Sequence, residues 1–287
     1  MDPAISVCVP TWNGETYLAE TLRSALAQTF ADFELVVVDD GSGDSTWEIA
    51  ESLRDPRLRL QRNPAREGLP GNWNRCLQLA RGRYVLLLCQ DDVLVADALA
   101  ALHEALEGVP GAALAFGRRE ILYDGVERFP LQGREYEDAL ASFHRSLRGR
   151  VTGIDLVTAA LRDGRDLTVN VIGEPSFVLL RREAVLDAGG FDPAFRQLPD
   201  WDLWLRLARR GPLVFVDRVL GAFRVHARGA SAGGLVHVPS ENVRLMRGLR
   251  RFYGPGLDRT GRRRLRWAEW RHRWRLLVHH LGGIIRS

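Results

Sequence analysis

The sequence predicts an α/β fold: a mostly parallel central sheet with helices on both faces, followed by a helical C-terminal extension. Three observations carry that expectation. Short apolar runs alternate with segments of helical period through the first third of the chain, in the manner of βαβ units. Acidic and aromatic residues gather just past those runs, at 10–13, 39–42 and 90–92. The last segment combines tryptophan at three- and four-residue spacing with a dense series of arginines.

Residues 5–9 are a buried-strand run, and 15–28 sets Leu18, Leu22, Ala25 and Leu26 on one helical stripe. A strand at 33–38 and a helix at 44–53 follow, the helix capped by Ser42 or Asp44. Residues 57–60 form a short strand, 72–80 a helix, 84–89 a strand and 96–106 a helix. Four strands joined by three helical crossovers imply parallel pairing. Ligands of such sheets gather at the carboxyl ends of the strands, so the three polar clusters are expected on one edge. Further on, 112–116 and 177–180 have strand character, 154–162 and 200–210 helical character, and 213–216 with 222–225 close the core. The stretch 118–150 is polar with weak periodicity, and 226–239 is a loop rich in Gly, Ala and Ser.

A chain of 287 residues suits one catalytic domain with a tail. We expect that domain at 1–238, with a nucleotide-binding half at 1–110 and an acceptor-binding half at 111–238, and a basic helical extension at 239–287. No apolar run reaches the roughly 18 to 20 residues that span a bilayer. The N-terminus enters a strand pattern directly, so a cytoplasmic protein is expected. Cys8, Cys76 and Cys89 are odd in number with no CxxC spacing, which points to reduced core thiols rather than disulfides or a zinc site. The formal charge of +4 is uneven: thirteen arginines between 244 and 286 stand against Asp258 and Glu269, leaving the remainder net acidic. Every basic side chain is arginine, the mark of a codon bias rather than of a nucleic-acid surface, and no nucleic-acid partner is expected.

The chemistry at the three strand ends is coherent. Bare carboxylates repel a pyrophosphate, so a divalent cation must sit between them. Asp91 and Asp92 are hard oxygen ligands suited to Mg2+ or Mn2+. Asp39 or Asp40 can accept a hydrogen bond from a base N–H or a ribose hydroxyl, and Trp12 offers a flat face to a base.

The run Val7-Cys8-Val9-Pro10-Thr11-Trp12-Asn13-Gly14, then residues 25–30 and Phe33-Glu34-Leu35-Val36-Val37-Val38-Asp39-Asp40-Gly41-Ser42, resembles the start of the family 2 inverting glycosyltransferases of the GT-A fold. The resemblance continues through 82–92, Gly189-Gly190-Phe191-Asp192, residues 200–207, and Phe223-Arg224-Val225-His226 with Ser231, covering roughly residues 4 to 231. It implies transfer of a sugar from a UDP-, dTDP- or GDP-sugar to a glycan or lipid-linked acceptor, with Mn2+ or Mg2+ as cofactor. It implies that Pro10, Thr11 and Trp12 line the base pocket, that Asp40 contacts the base, and that Asp91 lies near the ribose or sugar. Asp92 becomes the principal metal ligand, His226 approaches the metal or diphosphate, and Arg224 neutralises phosphate charge. Asp200 aligns with the family's general base, although Pro199 stands where relatives have Glu. The run Gln90-Asp91-Asp92 stands where many relatives have Asp-x-Asp, which leaves the division of labour between the two carboxylates open.

Plainer roles stand beside these. Asp200 could cap its helix, Asp202 is more simply structural or acceptor-facing, and Trp201 and Trp204 are more simply core. Arg66, Asn72 and Asn74, near the exit of the third strand, could touch the nucleotide but are more simply solvated. A sugar nucleotidyltransferase would need a Gly-rich first loop with Arg and Lys, which Pro10 to Gly14 does not supply. A catalytically silent nucleotide-binding module leaves Asp92, Asp200 and His226 together without a reason. In the tail, Trp267, Trp270, Trp274, Leu277 and Leu281 share one helical stripe with arginine opposite. That stripe either docks on the protein's own body or a second subunit, or lies in the interface of a membrane's inner face.

Overall fold

β1 (Ile5–Thr11) and β2 (Phe33–Asp39) are buried along their whole length, the pattern of strands covered on two faces. With β3 (Leu58–Arg62) and β4 (Tyr84–Leu87) they form a parallel block in the order β3-β2-β1-β4. The computed structural model describes residues 2–126, 140–145, 147, 149–229 and 239–284, with side chains described through 277 apart from 239. Ser231, most of the loop at 226–239, the middle of the polar stretch and the Leu281 side chain lie outside the described residues.

The crossovers are α1 (Leu18–Leu26), α2 (Thr46–Ser52) and α3 (Gly68–Leu79). The chain steps outward from β1 to β3, then returns to the other side of β1 for β4. Connections diverge at the carboxyl ends of β1 and β4, which opens a crevice there. Beyond β4 the sheet becomes mixed. β8 (Val178–Arg181) runs antiparallel to both β4 and β6 (Leu114–Asp124), and β6 runs parallel to β9 (Leu213–His226). The short strands β5 (Val93–Leu94) and β7 (Arg150–Val151) pair antiparallel with β9. The parallel ladders are the long ones, so the sheet is mostly parallel, as expected.

β6 and β9 run further than the sequence suggests. Residues 118–124 of β6 alternate exposed and half-buried, a one-sided strand whose polar residues read as loop. The β6–β9 register shifts near Gly117, where an added Cβ would lie 2.6 Å from Leu220 Cδ1. β9 is one strand rather than two, its exposed middle hiding the continuity.

Apolar side chains fill both faces of the sheet. Ile5, Val7 and Val9 pack with Leu18 and Leu22 of α1 and with Leu99, Leu102 and Leu106 of α4 (Ala98–Glu107). On the other face Cys8, Val36 and Val38 meet Trp73, Cys76 and Leu77 of α3, and the same cluster takes in Leu156 of α5 (Gly153–Arg162), Val185 of α6 (Arg182–Asp187), and Trp201 and Trp204 of α7 (Pro199–Leu207). The three cysteines are free thiols. After β9 come α8 (Pro239–Tyr253) and α9 (Arg259–Ile284). α8 adds Leu245, Met246, Leu249 and Tyr253 to the second cluster.

α9 docks on the body with the face opposite to its tryptophans. Leu265, Glu269 and His272 are buried, whereas Trp267, Trp270 and Trp274 are each more than half exposed. Paired charges make that burial tolerable. Glu269 meets Arg250 at 3.1 Å and Arg273 at 2.7 Å, and His272 Nε2 lies 3.1 Å from Asp166 Oδ1. Of the options for the stripe, docking on the protein's own body is thereby overturned.

Candidate active site

The crevice between β1 and β4 is closed by one side chain. Gln90 Oε1 accepts from the Trp12 N–H at 2.8 Å, and Gln90 Nε2 donates to the Trp12 carbonyl at 3.1 Å. A Cβ at Gly14 would fall 2.4 Å from Gln90 Oε1, so this clamp needs glycine there. Asn13, in the left-handed region at φ 48°, donates its N–H to Ser42 Oγ and accepts from the Gly43 N–H, tying the first loop to the second. Of the expected base-pocket residues, Pro10 and Thr11 are buried strand positions, and Trp12 alone presents a side chain to solvent, at 41% exposure. The Arg66 guanidinium lies over the Trp12 ring, 3.5 Å from its centroid. Arg66 is thus part of this surface rather than merely solvated.

The second strand end is built inward. Asp39 accepts from the Ser42 N–H and hydroxyl and pairs with Arg62 at 2.9 Å. Asp40 Oδ1 accepts from Asn63 Nδ2 at 2.9 Å and from the Glu67 N–H at 2.8 Å, and its Oδ2 from the Gly68 N–H at 2.8 Å. These N–H groups open α3, so Asp40 caps that helix from a distance and suits the positive end of its dipole. Three of about four acceptor positions on the carboxylate are taken, leaving one for a ligand. Asn72 is buried, donating to the Val38 carbonyl and accepting from Asn63, and Asn74 bonds Phe191; neither is a solvated surface residue.

At the third strand end the two carboxylates part company. Asp92 is fully buried, with Oδ2 accepting from Ser176 Oγ at 2.5 Å and Oδ1 from the Arg224 N–H at 2.9 Å. Burial first, and the neighbouring Asp91 carboxylate second, push its carboxyl well above the usual carboxylate range. With both oxygens met by protein donors and no surface presented, Asp92 offers a ligand less than its neighbour does. Asp91 is the partner that meets solvent, its side chain 19% exposed and its Oδ2 3.0 Å from His226 Nε2. Arg224 is engaged by protein partners too. Its Nε donates to the Asp91 carbonyl at 2.9 Å and its Nη2 to Glu20 at 2.6 Å, while its guanidinium covers Tyr17. That clamp holds β9 against the loop and leaves the guanidinium committed to protein partners.

Asp200 lies in the first turn of α7, where Pro199 occupies a position whose missing N–H costs nothing. Asp200 Oδ1 accepts from the Trp201 N–H at 2.7 Å and Oδ2 from Asn170 Nδ2 at 2.8 Å. Part of the residue reaches solvent, yet its carboxyl is crowded by protein, and that burial pushes its pKa up to about 7. The Glu174 carboxylate adds to the rise, and it acts on Asp92 too, so it stands within reach of both. Trp201 and Trp204 are core, as expected, donating to the Leu167 and Gly173 carbonyls. Asp202 pairs with Arg206 one turn on, a structural role.

Ser176, Glu174 and Asn170 escaped the sequence reading. Ser176 accepts from the Cys89 N–H and donates to Asp92, while Glu174 pairs with the buried Arg119. They precede β8, which runs antiparallel to β4, so its amino end lies on the edge where the parallel strands finish. A signal existed in the polar Gly173-Glu174-Pro175-Ser176 before an apolar run, but a search of carboxyl ends alone passes over it.

Among the described residues no group of three or more His, Cys, Asp or Glu side chains is set to hold a metal ion. Asp91 and His226 form a pair, and a carboxylate with an imidazole fits Mn2+ or Mg2+ when phosphate oxygens and water complete the shell.

Residues 6–186 match the family model described as Glycosyl transferase family 2. The chain is 39% identical over 222 residues to Uncharacterized protein MT1568 of Mycobacterium tuberculosis, covering 77% of this chain and 67% of that one. It is 34% identical over 91 residues to the UDP-Glc:alpha-D-GlcNAc-diphosphoundecaprenol beta-1,3-glucosyltransferase WfaP of Escherichia coli, covering 32% of this chain and 36% of the relative. The solved structure of the mannosyltransferase PcManGT from Pyrobaculum calidifontis, in complex with GDP-Man and Mn2+, superposes with a TM-score of 0.62 at 20% identity, over 88% of this chain and 65% of that one. That likeness concerns the fold, which is of the GT-A type. The chain spans about two thirds or less of the length of each of these proteins.

Proposed function

The chain belongs to glycosyl transferase family 2, and from that premise we propose that it moves a sugar from a nucleoside-diphospho-sugar to an acceptor hydroxyl by a single inverting displacement, with Asp200 as general base. The observation that carries this reading is the Asp91–His226 pair at the sheet edge and, near enough for the Glu174 carboxylate to act on both it and Asp92, the Asp200 carboxyl, whose pKa is raised to about 7. A base poised near the working pH is half ready to accept a proton at all times.

Trp12 would stack on the base, with the remaining acceptor position of Asp40 turned to its edge. Asp91 and His226 would hold Mn2+ or Mg2+, which when bound neutralises charge on the departing diphosphate. Asp92 supports Asp91 from below, and Arg224 fastens β9 so that His226 stays opposite Asp91. As the acceptor oxygen bonds to the anomeric carbon, its proton passes to an Asp200 carboxylate oxygen, while the bond from that carbon to the diphosphate breaks with its electrons leaving on the nucleotide. Asn170 and the Trp201 N–H keep the Asp200 oxygens aimed. The acceptor is a glycan or lipid-linked saccharide, a class that includes the diphosphoundecaprenol-linked substrate in the name of the Escherichia coli relative. The catalytic unit is residues 1–238.

Asp200→Asn tests the reading. Donor binding, read as a thermal shift with UDP-, dTDP- or GDP-sugar plus Mn2+, is expected to persist while transfer falls on the order of a hundredfold or more. In the unchanged protein the rate should climb with pH through about 7, since the carboxylate is the active form. Stability should move the other way: a carboxyl with a raised folded pKa favours the fold below its unfolded pKa and loses that contribution as pH rises through about 7. Transfer that survives Asp200→Asn removes the base from Asp200. Absence of any nucleotide-dependent shift removes the donor site.

A further inference from the structure

We propose that the outward face of α9 is a docking surface for an anionic lipid bilayer, on which the helix lies without crossing. The inference rests on the helix surface alone and stands or falls independently of the sugar-transfer reading.

Trp267, Trp270, Trp274 and Leu277 are 59%, 59%, 55% and 49% exposed. Their spacing places them on one ridge about 15 Å long, and the Trp270 and Trp274 rings are stacked along it. Elsewhere among the described residues the exposed large apolar side chains are scattered singly, the ordinary condition of a protein surface. The ridge is not left over from docking to the body, because Leu265, Glu269 and His272 perform that task on the opposite side. Four contiguous apolar side chains held outward need an occupant.

Charge identifies it. Between Arg259 and Arg275 there are eight arginines and one acid, Glu269, which is buried and paired with Arg250 and Arg273. On a helical wheel Arg266 and Arg273 flank the ridge on one side and Arg264, Arg271 and Arg275 on the other; Arg273 also pairs with Glu269, and Arg271 and Arg275 with Asp166, yet all but the half-buried Arg271 are exposed. An apolar ridge between two basic rows matches the boundary of a bilayer, where indoles sit at headgroup depth and arginines reach the phosphates. A second copy fits poorly, because two such faces packed together would oppose their guanidinium rows. Among the described residues no helix is long and apolar enough to cross a membrane, so the helix would lie along the surface.

The test floats the full chain with vesicles of phosphatidylcholine alone or mixed with phosphatidylglycerol, at low and high salt. Flotation with the anionic vesicles, weakened by salt, is expected. Replacing Trp267, Trp270 and Trp274 together by Ser should reduce it at least about tenfold with an unchanged melting curve, since these side chains touch little of the protein. Should that variant melt early, Trp270→Ser alone is expected to cost about threefold. Arg266→Gln with Arg275→Gln, one from each row, should weaken the preference for anionic lipid at least about threefold. Absence of flotation overturns the proposal, as does equal flotation of the tryptophan variants. So would a dimer, or a nucleic-acid complex, that forms without lipid and is abolished by the same substitutions.

Discussion

Asp39-Asp40 and Asp91-Asp92 are the same acidic doublet, each following a buried parallel strand at the same sheet edge, and the fold treats them differently. Around the first, later elements bury both acids: Ser42 and Arg62 reach Asp39, and Asn63 with the first N–H groups of α3 take three acceptor positions of Asp40. Around the second, only Asp92 is enclosed, by Ser176 and the Arg224 N–H, and Asp91 turns outward to His226. A buried carboxylate is tolerated only where protein donors replace water, so the donors supplied by distant segments decide which acid is enclosed and which stays open to solvent. Three of the four carboxylates are enclosed, and the difference can be broken by substitution.

The largest effect should come from the exposed member. Asp91→Asn removes the charge facing His226 while leaving the buried contacts of Asp92 in place. Transfer is expected to fall on the order of a hundredfold or more, and the Mn2+-dependent part of the donor thermal shift to vanish, with little change in stability without ligand. If transfer and the metal response persist, Asp91 and Asp92 are not divided in this way.

The enclosed acids should show the reverse pattern. Asp40→Ala leaves three donors without their acceptor, two of them at a helix start, and is expected to cost about 3 kcal/mol in urea unfolding. Asp92→Ala strands two donors, and about 2 kcal/mol is expected. A stability loss for Asp91→Asn matching either would erase the contrast between the doublets.

Much of this arrangement is legible in the sequence, and the illegible part has physical causes. Continuous apolar runs identify β1, β2 and β4, and parallel crossovers then bring Trp12, Asp40 and Asp91 to one edge. The motif context singles out Asp200, whose raised pKa is consistent with the role proposed for it. The division between Asp91 and Asp92 is not legible, because it depends on Ser176 and Arg224, 84 and 132 residues away in sequence. The contacts of Arg224 with Glu20 and the Asp91 carbonyl are not legible either, because they too join distant segments. In α9, periodicity tells which residues share a stripe but not which stripe docks. The docking face contains Glu269 and His272, which polarity alone assigns to water, and only their partners Arg250 and Asp166 make them buriable.

The smallest predicted effect sharpens the contrast at the exposed indole of this edge. Trp12 is the residue beside both doublets that keeps an open face, and Arg66 rests 3.5 Å above it. A guanidinium on an exposed indole contributes about 0.5 to 1 kcal/mol. A base stacking on that face must first displace it, so Arg66 competes with the ligand. Arg66→Ala is therefore expected to tighten donor binding by about two- to fivefold, read by calorimetric titration, with the rate at saturating donor unchanged. Weaker binding of similar size would mean that the guanidinium holds the donor itself, and Arg66 would then join Asp91 among the residues that the fold leaves for the ligand.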